Sequence, residues 1–235
     1  MANLSQEELK AWGESFETKQ PQEVLAASIE RYAPRIVLAC SFGAEDVVLL
    51  DMIHRIDPSV PLFYLDTEFL FPETYATRDR VIERYGLQPQ QVMQVKSLLT
   101  PEQQAAQHGG ALWARQPDQC CELRKVEPLT RVLKGFDAWI TGIRRDQSPA
   151  RAIAKLIEWD QKFQLAKVNP LAKWTWEDVW TYIRVHEVPY NEMHDRNYPS
   201  IGCTYCTSPV MPGEDSRAGR WKNFTKTECG LHKAS

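Results

Sequence analysis

Four cysteines, arranged as an adjacent pair and a C-x-x-C, constrain this 235-residue chain more than any other feature. The pair is Cys120-Cys121; the second motif is Ile201-Gly202-Cys203-Thr204-Tyr205-Cys206-Thr207. Alone, a C-x-x-C is compatible with a metal site, a redox pair or coincidence. With a doublet about eighty residues upstream it becomes half of a four-thiolate set, the complement an iron–sulfur cluster takes. Zinc also accepts four thiolates, but usually from two spaced pairs. Neighbouring Cys side chains diverge in most backbone conformations, which suits a large cubane better than a small ion. Two disulfides would need an oxidising compartment. The spacing favours a [4Fe–4S] cluster over zinc and over disulfides.

Composition sets the bounds. With 43% hydrophobic and 25% charged residues the chain suits one sizeable globular domain. A net charge of −3 argues against nucleic acid as a partner. The polar, acidic start is not a secretory signal, and no apolar run approaches membrane-spanning length, so no membrane is expected. Six cysteines without an export signal read as cytosolic thiols, and the expected location is cytoplasmic. Outside the four-thiolate set stand Cys40 and Cys229. The sequence leaves a homo-oligomer open.

Ser5 with Glu8 makes a capping box for a first helix, and a second runs from about Pro21 to Tyr32. Arg35 to Cys40 is a buried strand that leads into Ser41-Phe42-Gly43-Ala44-Glu45-Asp46 and an apolar helix to about Ile56. A strand, a tight Ser/Gly turn and a helix N-terminus form an anion site, because free N–H groups and the helix dipole converge there. One Gly and no Lys distinguish it from a Walker loop. Val60 to Leu65 is a second strand, ending at Asp66-Thr67-Glu68, where an open parallel sheet would meet a nucleotide. A helix from Pro72 to Tyr85, a strand from Gln91 to Val95 and a short helix from Pro101 to His108 follow. The doublet is read as opening a helix to about Lys134 that carries Arg124 and Lys125. Asp137 to Thr141 is the next strand; the arginines of its loop, Gly142 to Pro149, suit phosphate or sulfate recognition. Residues 155–168 form an edge pair, and Thr175 caps a helix whose tryptophan stripe reads as core. His54, His108, His186 and His194 read as structural or surface residues. Strands alternating with helices call for an α/β fold with an open, doubly wound parallel sheet. Residues 1–212 are expected to form it and 213–235 a flexible tail.

The motifs Ser41 to Asp46, Leu65 to Glu68, Cys120-Cys121 with Lys125, Gly142 to Pro149 with Arg151, Cys203/Cys206 and Glu228-Cys229-Gly230-Leu231-His232 occur in one order. In this they resemble the assimilatory sulfonucleotide reductases, most closely the iron–sulfur branch that reduces adenosine 5′-phosphosulfate (APS). The resemblance runs from about residue 35 to the end. It implies an adenine nucleotide α-hydrolase-like fold of the PP-loop type with a mobile C-terminal tail, and a role in sulfate assimilation for cysteine biosynthesis. It implies that Cys120, Cys121, Cys203 and Cys206 hold the cluster, and that Cys229, Lys125 and His232 are catalytic. Ser41, Phe42, Gly43, Asp46, Leu65, Asp66, Thr67, Gly142, Arg144, Arg151, Arg217 and Arg220 would bind substrate. Thioredoxin or glutaredoxin would supply electrons, releasing sulfite and AMP.

The chemistry is coherent with that reading. APS is a mixed anhydride whose sulfur invites a thiolate, with AMP as leaving group. A lone tail Cys cannot resolve its own product when the other thiols are tied to iron, so an external dithiol is required. Alternatives are the 3′-phosphorylated nucleotide (PAPS) as substrate, an ATP pyrophosphatase of the same fold, and a non-enzymatic iron–sulfur sensor or electron carrier. Phe42 and Ala44-Glu45 disfavour a triphosphate, and a sensor would leave the tail motif unexplained.

Overall fold

The computed structural model describes residues 4–222, 224, 226 and 228–231. A six-stranded sheet has the order β3-β2-β1-β4-β6-β5. Its strands are β1 (Ile36–Ala39), β2 (Leu62–Asp66), β3 (Val92–Lys96), β4 (Ala138–Ile140), β5 (Ile157–Asp160) and β6 (Leu165–Val168). All neighbours are parallel except β5 and β6, which form the antiparallel edge hairpin expected over residues 155–168. From β1 the chain steps outward through β2 and β3, then crosses back to β4 on the other side of β1. That reversal opens a crevice beyond the carboxyl ends of β1 and β4, the place where open α/β sheets receive ligands.

Both sheet faces are covered, which explains why the central strands β1 and β2 read as nearly unbroken apolar runs. Ile36 and Leu38 point to the face packed by α2 (Pro21–Tyr32), α3 (Ala44–Ile56) and α9 (Trp176–His186). Val37 points the other way, against Leu129 and Leu133 of α8 (Glu127–Leu133). Helix α3 is buried almost all round, as its lack of a polar stripe requires. The capping box of α1 (Gln6–Ser15), Pro72 at the start of α4 (Pro72–Tyr85) with left-handed Gly86 at its end, and the Thr175–Asp178 box of α9 stand where the sequence puts them. Helix α5 (Pro101–His108) agrees as well. Among the described residues no helix is long and apolar enough to cross a membrane.

One element differs. The cysteine doublet does not open a helix; it closes a short one. After α6 (Leu112–Arg115), Pro117 starts α7 (Pro117–Cys121), because proline lacks the N–H that a first turn leaves unused. The chain then widens into a π-turn, Glu122–Val126, before α8. Such a turn inserts an extra residue and rotates the helix beyond it, and it is common at functional sites. Here it carries Arg124 and Lys125.

Gly142, in the loop after β4, faces the first turn of α3. A Cβ there would collide with the Asp46 carboxylate and lie 2.9 Å from the Glu45 Cβ. Gly142→Ala is therefore expected to destabilise the chain by about 1–3 kcal/mol through overpacking, measured as a lower midpoint in urea with unchanged slope.

Candidate active site

The loop after β1 turns at Phe42, a non-glycine residue with φ of 58° whose ring is buried against Tyr64. Holding a side chain in the left-handed region costs roughly 1–3 kcal/mol and persists only where packing over-determines it. The turn aims the chain into α3, whose N-cap is Gly43 and carries no side-chain cap. Asp46, one turn in, accepts from the Ser41 N–H and the Ser41 hydroxyl, both at 2.6 Å. Burial pushes its carboxyl up to about 6, against the pull of those two hydrogen bonds and of Arg151.

Beyond this loop lies a cavity of about 350 Å³, within the range of small-molecule sites. Of the expected substrate residues, Ser41, Phe42, Gly43, Asp46, Leu65, Thr67, Gly142, Arg144, Arg151, Arg217 and Arg220 line it, together with Lys125 and Cys229. Asp66 does not. Its buried carboxylate accepts from the Tyr75 hydroxyl at 2.6 Å, from Gln94 at 2.5 Å and from the Glu68 N–H at 2.9 Å, so it fixes the strand tip and faces away from the cavity. His232 lies outside the described residues.

The cations are held by neighbours that local sequence patterns do not mark. Arg144 donates to Glu45 at 3.0 Å, pairs with Asp146, and lies over the Trp176 ring. Gln147 donates to the same Glu45 at 2.9 Å. Trp176, read as core, and His194, read as structural, both line the cavity. Burial pulls the His194 pKa down, and its Nδ1 faces the Tyr198 carbonyl at 2.8 Å. Trp176 could be recognised only from the turn of α9 that faces the crevice; His194 has no local signal at all. Cys40 is buried at the same wall and its thiol is pushed well up by burial, which suits the packing role expected of it.

The described part of residues 213–235 lies packed against the domain. Thr207 bridges to Arg220, Trp221 is buried, Lys226 pairs with Asp118 at 2.5 Å, and Lys162 donates to the Gly230 carbonyl at 3.0 Å. Leu231 joins the cluster around Leu129 and Trp139. Burial pushes the Cys229 thiol up, but Lys125, the Leu231 N–H and Arg220 outweigh it, and the net pKa is below that of an ordinary thiol. The same logic acts in reverse on Lys125: burial pulls it down, and the thiols of Cys203, Cys229 and Cys121 more than reverse that.

Lys125 also lines a second, smaller pocket, whose wall includes Cys120, Cys121, Cys203 and Cys206. The β2 tip holds the C-x-x-C in place: the Thr67 hydroxyl lies 3.3 Å from the Cys203 sulfur, and the Thr204 N–H donates to the Phe69 carbonyl at 2.8 Å. Among the described residues, no three His, Cys, Asp or Glu side chains are gathered closely enough to hold a metal ion as they stand. The donor chemistry nevertheless fits a polynuclear group. Burial and mutual repulsion push the Cys120 thiol up to about 12 and the Cys206 thiol to about 11, so four thiolates require a compensating cation. Two buried donors on residues of the same wall, Arg124 Nη2 and Trp221 Nε1, have no hydrogen-bond partner among the described residues. An orphaned buried donor is costly, and a bound acceptor such as a cluster sulfide would satisfy it. Arg124 is otherwise fixed by Gln104 at 2.7 Å, Glu68 at 3.1 Å and the Thr67 carbonyl at 3.2 Å.

Compared with known proteins, residues 35–209 match the phosphoadenosine phosphosulfate reductase domain family. The chain is 50% identical over 220 residues to the adenosine 5′-phosphosulfate reductase of Halalkalibacterium halodurans, covering 94% of this chain and 94% of that one. A crystal structure of phosphoadenylyl-sulfate (PAPS) reductase from Candida auris, a phosphate complex, superposes with a TM-score of 0.76 at 34% identity, over 89% of this chain and 99% of that one. FMN adenylyltransferase from Candida glabrata, at 15% identity, shares the fold alone, with a TM-score of 0.59 over 99% of this chain and 78% of that one.

The raised pKa of Asp46 has a consequence for stability. Between its ordinary 3.8 and about 6 the folded chain binds more protons at this carboxyl than the unfolded chain does, so stability falls as pH rises through that window. The loss attributable to Asp46 is about 2–3 kcal/mol. Asp46→Asn should remove this component, which urea denaturation of both proteins at pH 4 and pH 7 measures.

Proposed function

The chain belongs to the phosphoadenosine phosphosulfate reductase domain family, and from that premise we propose that it reduces APS to sulfite and AMP in sulfate assimilation. The observation that carries the reading at the level of chemistry is a thiol, Cys229, with a lowered pKa on the wall of a nucleotide-sized cavity that Lys125 and Arg220 also line. The chain's relatives named for APS at half identity favour APS over PAPS.

In this reading the loop Ser41-Phe42-Gly43 and the α3 N-terminus receive the nucleotide, while Arg144, Arg217 and Arg220 face its anionic part. The Cys229 thiolate attacks the sulfur of the anhydride. A sulfur–sulfur bond forms, the bond from sulfur to the bridging oxygen breaks, and its electron pair leaves on the AMP phosphate. Lys125 offsets charge on the sulfonate as it transfers. His232 belongs to the same expectation from its motif. An external dithiol, thioredoxin or glutaredoxin, then attacks the Cys229 sulfur and displaces sulfite, and its second thiol resolves the mixed disulfide. Sulfur gains the two electrons that the dithiol loses, and Cys229 returns to the thiolate.

Cys120, Cys121, Cys203 and Cys206 would hold a [4Fe–4S] cluster, with Arg124 and Trp221 donating toward its sulfurs. When bound, the cluster supplies a fixed, negatively charged anchor beside Lys125. A cytosolic setting belongs to the same reading, since thiols used this way need a reducing compartment.

Three measurements test this. Anaerobically purified protein should contain about four irons and four sulfides per chain; one zinc and no sulfide would defeat the cluster. Mixing with APS before any reductant should add one SO₃ to the peptide carrying Cys229 and release AMP in equal amount. Cys229→Ser should keep the iron and bind APS yet form no adduct. An adduct on Cys40, or wild-type turnover by Cys229→Ser, would overturn the mechanism. Side-by-side kinetics should give a higher kcat/KM for APS than for PAPS, because binding the added phosphate dianion without a dedicated partner is costly.

A further inference from the structure

Arg151 was expected to bind substrate, yet its guanidinium is occupied by the protein itself. Nε donates to Glu228 Oε1 at 2.9 Å and Nη2 to Glu228 Oε2 at 2.8 Å, a full bidentate fork. Nη1 donates to Gln147 Oε1 at 2.6 Å, which takes part of the other edge. The same Glu228 carboxylate lies 3.1 Å from Arg217 Nη2 and accepts from the Ser148 hydroxyl at 3.3 Å. All of this is sheltered: the side chains of Glu228, Arg151 and Arg217 are 6%, 11% and 14% exposed. Glu228 is the residue before Cys229. Where the carboxylate is clamped, the next sulfur has little freedom to leave the cavity wall.

We propose that Glu228 is a positioning residue: its carboxylate, clamped by Arg151 and Arg217, latches the C-terminal segment onto the domain and seats the Cys229 sulfur on the wall it shares with Lys125. Arg151 then serves the latch, and the negative charge of the substrate falls to the other cations of the cavity. A buried carboxylate between two guanidinium groups is a discrete, two-state contact: closed it is fully paired, and open it leaves three charges that must be hydrated. This is the kind of catch a segment needs if it must hold a nucleophile against one substrate and later present it to another protein. The inference rests on the reading of Cys229 as the nucleophile, and its test is chosen to stand apart from that reading.

The test uses the cluster-loaded full chain with Glu228→Gln, which keeps the shape and removes the charge, and Arg151→Lys, which keeps the charge and removes the fork. The first readout is alkylation of Cys229 by iodoacetamide, followed by peptide mass and taken as the limiting rate at high pH, so that a change in thiolate fraction does not enter. Both variants should react about tenfold faster than wild type, and Glu228→Asp should fall between. The second readout is single-turnover S-sulfonation by APS. It should slow by about tenfold in Glu228→Gln, while APS affinity, measured in a Cys229→Ser background, changes by less than about threefold. Unchanged alkylation in both variants would overturn the latch. So would tighter APS binding with undiminished sulfonation, because Glu228 would then merely occupy the arginines until substrate displaces it. A wild-type chain that forms no S-sulfonate would overturn the proposed function and leave the alkylation comparison to decide the latch.

Discussion

The seating of the first turn of α3 beneath the loop after β4 is the contact on which the rest of the site depends. Gly142 permits it, since any Cβ would strike Asp46. From that contact a continuous run of polar interactions extends outward. Asp46 holds the Ser41 turn; Glu45 holds Arg144 and Gln147; Gln147 holds Arg151; and Arg151, with Arg217, holds Glu228. The loop after β1 and the C-terminal segment are thus joined through hydrogen bonds in a sheltered setting, where such networks are stiff and where a missing member is costly.

A second dependence runs through the π-turn. Placing an extra residue between the cysteine doublet and α8 puts Arg124 against the β2 tip and Lys125 on the boundary between the four-thiol pocket and the large cavity. One lysine therefore answers to both sets of sulfurs. Its charge favours the Cys229 thiolate, and the neighbouring thiols in turn favour the charged lysine. The coupling is a direct consequence of placing these groups in a poorly solvated space, where opposite charges stabilise each other more strongly than in water.

Crowding cations is not free. Burial and the nearby Arg151 pull the Arg217 pKa down to about 10, and Glu228 opposes that pull. Glu228 in turn is held below the ordinary carboxylate range: burial pushes it up, and Arg151, Arg217 and Ser148 overcome that. A carboxylate supplied by the C-terminal segment thus makes the arginine pair tolerable.

Sequence by itself determined the layers, the strands, the glycine turn before α3 and the residues from which the candidate site is built. Each of these comes from local rules: apolar runs for strands covered on both faces, capping boxes and proline for helix starts, a glycine turn before a helix, and four thiols in two short motifs. Even the edge hairpin was legible in its alternation. Tertiary structure decided which groups meet. Asp66 closes β2 and faces Tyr75 and Gln94, while Leu65 beside it in the strand lines the cavity, because successive strand residues point to opposite sides. His194 and Trp176 reach the cavity from elements whose own periodicity says only that they are packed. The doublet's place at the end of a helix is set by a π-turn that no spacing announces. Glu228 stands beside Cys229 in the sequence, but its bidentate partner Arg151 lies 77 residues away, and Arg217 joins from an earlier part of the C-terminal segment. Pairing of charges over such a distance is set by where the backbone closes, and no local pattern of residues encodes that closure.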